Sequence, residues 1–233
     1  MTTAIILAGG LGTRLREEVP DVPKPMAPIN GRPFLEYLMD YWIGQGIERF
    51  ILSIGYKSQI ISEHFGGCYK SSVVSYAIEE SPLGTGGGLL LALEQVTSKK
   101  VLLLNGDTFF EVNINSLYKF HLKSNSKWTL AFFRTDEIKR YMLINISPKG
   151  EILSLNSPEL VSSGLANGGV YLIEPSALDL LGGKIQENTS LENQLLPNYI
   201  SNGGKLFGQE CKGKFIDIGL PEDYFKASDI LPK

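Results

Sequence analysis

Four short apolar runs, "TAIILA", "RFILSIG", "VVSYAI" and "KVLLLNGD", recur through the first 107 residues, and segments of helical spacing fill the gaps between them. The runs are short, rich in aliphatic residues and bounded by turn signals, which marks strands buried on both faces. Between them "RPFLEYLMDYWIGQG", "SQIISEHFGG" and "GGLLLALEQV" read as helices, the first two with glycine stops. Strand and helix alternating over short connections predict the α/β class: a Rossmann-like, mostly parallel sheet with helices on both faces. The second half is less regular. There "INSLYKFHLKS" and "LENQLLPNYIS" predict helices, and "PEDYFKASD" opens a last helix with Pro221 in its first turn. The segments "WTLAFFR", "YMLINIS", "GEILSL", "GGVYLIE", "KLFGQE" and "KFIDIG" predict strands. No repeat, low-complexity tract or long linker breaks residues 1–233, so a single domain with an embellished C-terminal half is expected.

Open α/β sheets bind ligands beyond the carboxyl ends of their strands. The first run ends there in "ILAGGLGTRL", where the strand is expected to turn into a helix. Gly9, Gly10 and Gly12 leave backbone N–H groups bare, which suits an anion, most often a phosphate. A tight turn needing positive φ would use the same glycines. Arg14 tips the balance, because a planar cation beside such a loop matches phosphate oxygens. Two better-known phosphate loops are excluded. The dinucleotide fingerprint read from Gly10 would need Gly or Ala where Leu15 stands, and the GK[ST] of a Walker loop is absent. Ten residues beyond Arg14, Lys24 lies in "DVPKPM", its direction fixed by flanking prolines.

Asp107 ends the apolar run of "LLLNGDTFF", the place for a Mg²⁺ ligand or for an ordinary turn aspartate. Asp217 in "FIDIGLPEDY" stands likewise before a glycine turn, and spacing alone leaves open whether the two carboxylates converge. A second glycine-rich turn, "EESPLGTGGG", leaves room for a flat ring against the backbone, or is a plain turn with Thr85 capping a helix. Gly168 and Gly169 open the strand of "LANGGVYLI", where glycine weakens pairing unless something approaches closely. His64 and His121 read as structural. No Ser–His–Asp or Cys–His set is present, and phosphoryl or nucleotidyl transfer needs none, since positioning and charge neutralisation suffice.

A net charge of -3 argues against nucleic acid as partner. Cys68 and Cys211 form no CxxC or metal-finger spacing, which favours a reducing cytoplasm. The N-terminus lacks the basic start of a signal peptide, and no stretch reaches the ~18 apolar residues of a membrane span. The oligomeric state is left open, a homo-oligomer included.

In order along the chain, "AIILAGGLGTRL", "PKPM", "PLGTGGG", "LLLNGD", "NGGVYLI" and "FIDIGLPEDY" resemble the sugar-1-phosphate nucleotidyltransferases. "PKPMAPINGRPFLEY" and "LNGDTFF" look most like the D-glycero-D-manno-heptose 1-phosphate guanylyltransferases. The resemblance implies a nucleotidyltransferase fold and the Mg²⁺-dependent reaction of a nucleoside triphosphate with a sugar 1-phosphate. The products would be an NDP-sugar and pyrophosphate, in the service of surface polysaccharide synthesis. It implies that Leu7, Ala8, Gly9, Gly10, Gly12 and Thr13 cradle the nucleotide, with Glu79, Pro82, Gly84 and Thr85 around the base. Arg14 would neutralise the departing pyrophosphate, and Lys24 would steady the α-phosphate. Asp107 and Asp217 would hold Mg²⁺, and Asn167, Gly168, Gly169 and Glu192 would line the sugar pocket. Glu79 stands where thymidylyl-transferring relatives place a glutamine. A carboxylate only accepts hydrogen bonds, so it suits the paired N–H donors of guanine and repels the carbonyls of uracil and thymine, which favours GTP.

One departure from the pattern falls at Asn156-Ser157-Pro158, where the family carries a lysine for the sugar phosphate. Lys149 and Arg140 are the candidate replacements. The gap keeps other readings in view: a mannose- or glucose-1-phosphate nucleotidyltransferase, a silent nucleotide-sugar-binding relative, and, less favoured without a DxD, a glycosyltransferase.

Overall fold

The structure, a computed structural model, describes residues 2–155, 162–182 and 188–232. The first half runs β1 (Thr3–Leu7), the paired β2 (Pro28–Ile29) and β3 (Arg32–Pro33), α1 (Phe34–Gly44), β4 (Arg49–Ile54), α2 (Ser58–Phe65), β5 (Cys68–Tyr69), β6 (Ser72–Ile78), α3 (Gly84–Leu93) and β7 (Val101–Asn105). The second half adds β8 (Thr108–Phe110), α4 (Ile114–Lys123), β9 (Trp128–Thr135), β10 (Leu143–Ile146), β11 (Ile152–Leu155), β12 (Gly164–Ile173), α5 (Leu196–Ser201), β13 (Leu206–Glu210), β14 (Phe215–Asp217) and α6 (Pro221–Ile230).

The four apolar runs form the parallel heart of the sheet, in the order β7-β1-β4-β6. After β1 the chain lays down β4 and β6 on one side, then returns through α3 to place β7 on the other. That reversal between β1 and β7 opens a crevice at their carboxyl ends. Side chains alternate across the strands: Ala4, Ile6, Phe50, Leu52, Leu102 and Leu104 pack with Phe34, Leu38 and Trp42 of α1 and Ile61 of α2. Ile5, Ile51 and Leu103 face the opposite way, onto Leu89 and Ala92 of α3 and Leu196 and Tyr199 of α5. Helices thus cover both faces, and strands apolar on both sides are the cause.

The embellishment lies beyond β7. β12 runs antiparallel to β7, β10 to β12 and β11 to β10, while β9 pairs antiparallel with β12 and carries β13 parallel to it. β14 leaves the main sheet and pairs antiparallel with β8, setting Asp217 opposite Thr108. Most boundaries fall within a few residues of expectation. Three do not. No helix follows the glycine loop, since residues 13–18 form successive turns and the next helical segment is a 3-10 turn at Lys24–Met26. "LENQLLPNYIS" splits into a π-type turn at Leu191–Leu195 and α5, with Pro197, which has no N–H to donate, in the first turn of α5. β12 begins at Gly164, ahead of the expected start. Among the described residues no helix is long and apolar enough to cross a membrane.

Candidate active site

The crevice between β1 and β7 deepens into a cavity of about 550 Å³. Of the residues expected around a nucleotide, Leu7, Ala8, Gly9, Gly10, Gly12, Thr13, Arg14, Lys24, Glu79, Pro82, Gly84, Thr85 and Asp107 all line it, as does Glu192. Asn167, Gly168, Gly169 and Asp217 stand behind this lining rather than in it.

The glycine loop runs between two charged side chains. At its start, a side chain on Gly9 would run into the carboxylate of Glu79. Further along, Gly12 adopts φ +58°, and a Cβ there would lie 2.9 Å from the Cβ of Lys24. Glycine is needed at Gly12 for its backbone and for the approach of the lysine. Because turns follow the loop, the bare N–H groups act without a helix dipole behind them.

Lys24 is held by the 3-10 turn that Pro23 and Pro25 shape, and its side chain is 10% exposed. Its Nζ donates to Asp107 Oδ2 at 2.5 Å and lies 3.9 Å from Asp217 Oδ1. Asp107 stands two residues past the end of β7, after Gly106, and Asp217 ends β14; the β8–β14 pairing, with Ile218 N donating to Asp107 O at 3.0 Å, brings them together. Gly219 N donates to Asp217 Oδ1 at 2.7 Å. Burial and the neighbouring Asp107 charge push the Asp217 carboxyl above its ordinary range, against the pull of Lys24. Arg14 is exposed and makes no hydrogen bond or ion pair among the described residues.

Glu79, half-buried at the end of β6, is not a solvated strand-end charge. Its Oε1 accepts from Ser53 Oγ at 3.3 Å and its Oε2 from Leu83 N at 3.0 Å, closing the turn that leads into α3. Thr85 does not cap that helix, which has no side-chain cap. Its Oγ1 instead accepts from Leu191 N at 2.8 Å and donates to Glu192 Oε2 at 3.3 Å. Asn105, in the quoted "LNGD" but assigned no role from sequence, also lines the cavity, and its buried Oδ1 has no hydrogen-bond partner among the described residues. A polar residue closing an otherwise apolar buried strand was the available signal.

The histidines lie away from the cavity lining. His121 is buried with its Nδ1 2.8 Å from Thr129 Oγ1, and His64 pairs with Glu36 at 2.8 Å. Asn156, Ser157 and Pro158 lie outside the described residues. Of the candidate replacements for the family lysine, Arg140 pairs with Asp223 and with Glu137, and Lys149 is exposed on the turn after β10.

Comparison with known proteins agrees with this architecture. The sequence model of the nucleotidyl transferase family matches residues 3–233. The D-glycero-alpha-D-manno-heptose 1-phosphate guanylyltransferase of Aneurinibacillus thermoaerophilus is 38% identical over 96% of this chain and 96% of its own. That of Campylobacter jejuni is 39% identical over 95% and 96%. The crystal structure of HddC from Yersinia pseudotuberculosis complexed with GMP-PN superposes with a TM-score of 0.84 at 34% identity, covering 98% of this chain and 99% of that one. With a glycine loop, a lysine and two carboxylates meeting at the carboxyl ends of a parallel sheet, and a family match over almost its whole length, this chain belongs to the nucleotidyl transferase family.

Proposed function

We propose that the protein is a sugar-1-phosphate guanylyltransferase that joins GTP to D-glycero-alpha-D-manno-heptose 1-phosphate and releases pyrophosphate. The observation that carries this reading is the loop running from Glu79 to Lys24 within one cavity. A base against Glu79 and Pro82 and phosphates along Gly9–Thr13 would bring the α-phosphate to Lys24. A phosphate oxygen of the sugar 1-phosphate attacks the α-phosphorus, the bond to the bridging oxygen breaks, and pyrophosphate leaves with the electron pair. No proton need move, so no histidine is required. An ammonium has three donors. Lys24 can keep Asp107 and still donate to the α-phosphate, while Arg14, exposed and without a partner among the described residues, answers the charge growing on pyrophosphate.

Among the described residues no group of three or more His, Cys, Asp or Glu side chains gathers as a ready-made metal cage. Asp107 and Asp217 nevertheless fit Mg²⁺: two hard oxygen ligands beside a phosphate site, with no thiol or imidazole near, suit an ion that completes its shell with phosphate oxygens and water. Bound there, Mg²⁺ would supply Lewis-acid stabilisation of the transferring phosphate. Glu192, on the cavity wall, would face the sugar, with Asn167, Gly168 and Gly169 supporting that wall from behind. The reading treats residues 1–233 as one nucleotidyltransferase domain, and free Cys68 and Cys211 suit a reducing cytoplasm.

Pyrophosphate release tests the reading, with GTP, ATP, CTP, UTP and dTTP each set against heptose, mannose and glucose 1-phosphates. Fastest turnover with GTP and the heptose phosphate is expected. Equal use of UTP or dTTP overturns the base assignment, a preference for mannose or glucose 1-phosphate overturns the sugar, and no release with any pair overturns the enzyme.

A further inference from the structure

Behind the wall that Thr85, Asn105 and Glu192 give the cavity lies Tyr171, fully buried in β12. Its hydroxyl accepts from Asn167 Nδ2 at 2.6 Å and donates to Glu192 Oε1 at 3.2 Å. The directions are forced, since a carboxylate only accepts, so the phenolic proton points to Glu192 and leaves the oxygen for the amide. The amide of Asn167 is fixed in turn, because its Oδ1 accepts from Gly169 N at 3.1 Å. On the other side of Glu192, Thr85 Oγ1 donates to Oε2 at 3.3 Å. In an unbroken strand, residues four apart lie about 13 Å from each other and could not pair. The β9–β12 register shifts between Asn167 and Tyr171, with Gly169 at φ +69°, and this bulge brings the two side chains together.

We propose that Tyr171 is a positioning residue for the sugar: held from behind by Asn167, it sets Glu192 in the cavity wall that reads sugar hydroxyl groups, without acting on the nucleotide. The inference rests on the guanylyltransferase reading above. The hydroxyls of Tyr171 and Thr85 donate to one oxygen each of Glu192 and so fix a carboxylate that can offer the cavity only acceptor lone pairs. A ligand that complements it must present O–H donors, as a polyhydroxylated pyranose does.

The test is calorimetric binding of GDP and of GDP-mannose, whose sugar carries the same manno ring, to the wild-type chain and to Tyr171→Phe. Wild type is expected to bind GDP-mannose more tightly than GDP. In Tyr171→Phe the affinity for GDP-mannose should fall about tenfold, the scale of one hydrogen bond to a charged group, with GDP affinity held within about twofold. Equal weakening of both ligands would reduce Tyr171 to a structural role and overturn the proposal. So would unchanged discrimination in the variant, or a wild type that does not distinguish the two ligands. Should Tyr171→Phe fail to fold, Glu192→Gln, on the cavity wall, must show the same selective loss. A wild type that discriminates GDP-mannose from GDP but releases no pyrophosphate with any sugar 1-phosphate would remove the enzymatic reading and leave this one standing.

Discussion

The Nζ of Lys24 sits 2.5 Å from Oδ2 of Asp107, across 83 residues of sequence. This ion pair joins the segment after the glycine loop to the end of the strand beside it, with Asp217 3.9 Å from the same ammonium. The carboxylates are close enough to repel each other, and Lys24 is the cation between them.

Removing that cation separates catalysis from binding. Lys24→Ala and Arg14→Ala should each lower kcat by about 10²–10³, the usual loss for one donor to transition-state charge. GTP affinity, measured by calorimetry, should change far less. A change confined to KM would make the two residues tethers for the nucleotide and nothing more.

Asp217→Asn should nearly abolish turnover yet leave the fold more stable at neutral pH. The folded-state pKa of Asp217 is raised, so protonation favours the native state at low pH and ionisation works against it as pH rises. A neutral amide lifts that cost and can still accept from Gly219 N. Thermal unfolding at pH 7 should show Tm rising by a few degrees. A lower Tm, or near-normal turnover at low Mg²⁺, would count against the two-carboxylate site.

Gly219→Ala probes the same cluster sterically. A Cβ there would fall 2.8 Å from Asp217 Oδ1 and 3.0 Å from Lys24 Nζ, while the backbone does not occupy the positive-φ region. The variant should fold, with Tm close to wild type, but lose turnover at least about tenfold through displaced charges. Unaltered kcat would show that Lys24 and Asp217 can shift without penalty.

Glu79→Gln should narrow the preference for GTP over UTP and dTTP by about 1–3 kcal/mol in kcat/KM, since an amide offers a donor to the pyrimidine carbonyls. Its oxygen can still accept from Leu83 N, so the turn into α3 should survive. An unchanged nucleotide ranking would assign Glu79 to that turn alone.

His121 predicts the acid limb of stability. Burial, with Lys100 adding to it, pushes its pKa below the usual histidine value, against the opposing pull of Glu174. Its stabilising contribution is therefore complete above the unfolded value near pH 6.5 and is lost as pH falls through the lower folded value. Tm should decline on acidification below about pH 6.5, and His121→Asn should flatten that part of the curve. Equal slopes in the two proteins would place the acid sensitivity elsewhere.

Local chemistry made the parallel core legible in the sequence. Runs such as Thr3–Leu7 are apolar on both faces, and only a covered sheet accommodates them. The glycine loop and Lys24 were readable because backbone freedom and proline bracing are properties of adjacent residues. What depends on pairing across the chain was not. The meeting of Asp107 with Asp217 is set by β8 against β14, and nothing in either segment announces the other. Thr85 satisfied every local rule for a helix cap but found better partners in Leu191 and Glu192. Tyr171 carried no signal of its own in the sequence, because its hydroxyl acquires meaning only through a bulge. The helix expected after Arg14 failed for a simpler reason: "LREEVPDVP" carries prolines at 20 and 23 that stop it early.

Because Asp217 arrives on β14, the order of synthesis has a bearing on activity. A nascent chain exposes the parallel strands, the glycine loop, Lys24 and Asp107 long before Phe215–Asp217 leaves the ribosome. An incomplete product ending ahead of β14 would carry the residues assigned to GTP but would lack the second carboxylate and the strand that pairs with β8. On the proposed assignment, such a fragment is expected to show no turnover. The short β8–β14 ribbon would thus be the point at which a late segment of the sequence completes a site begun by early ones.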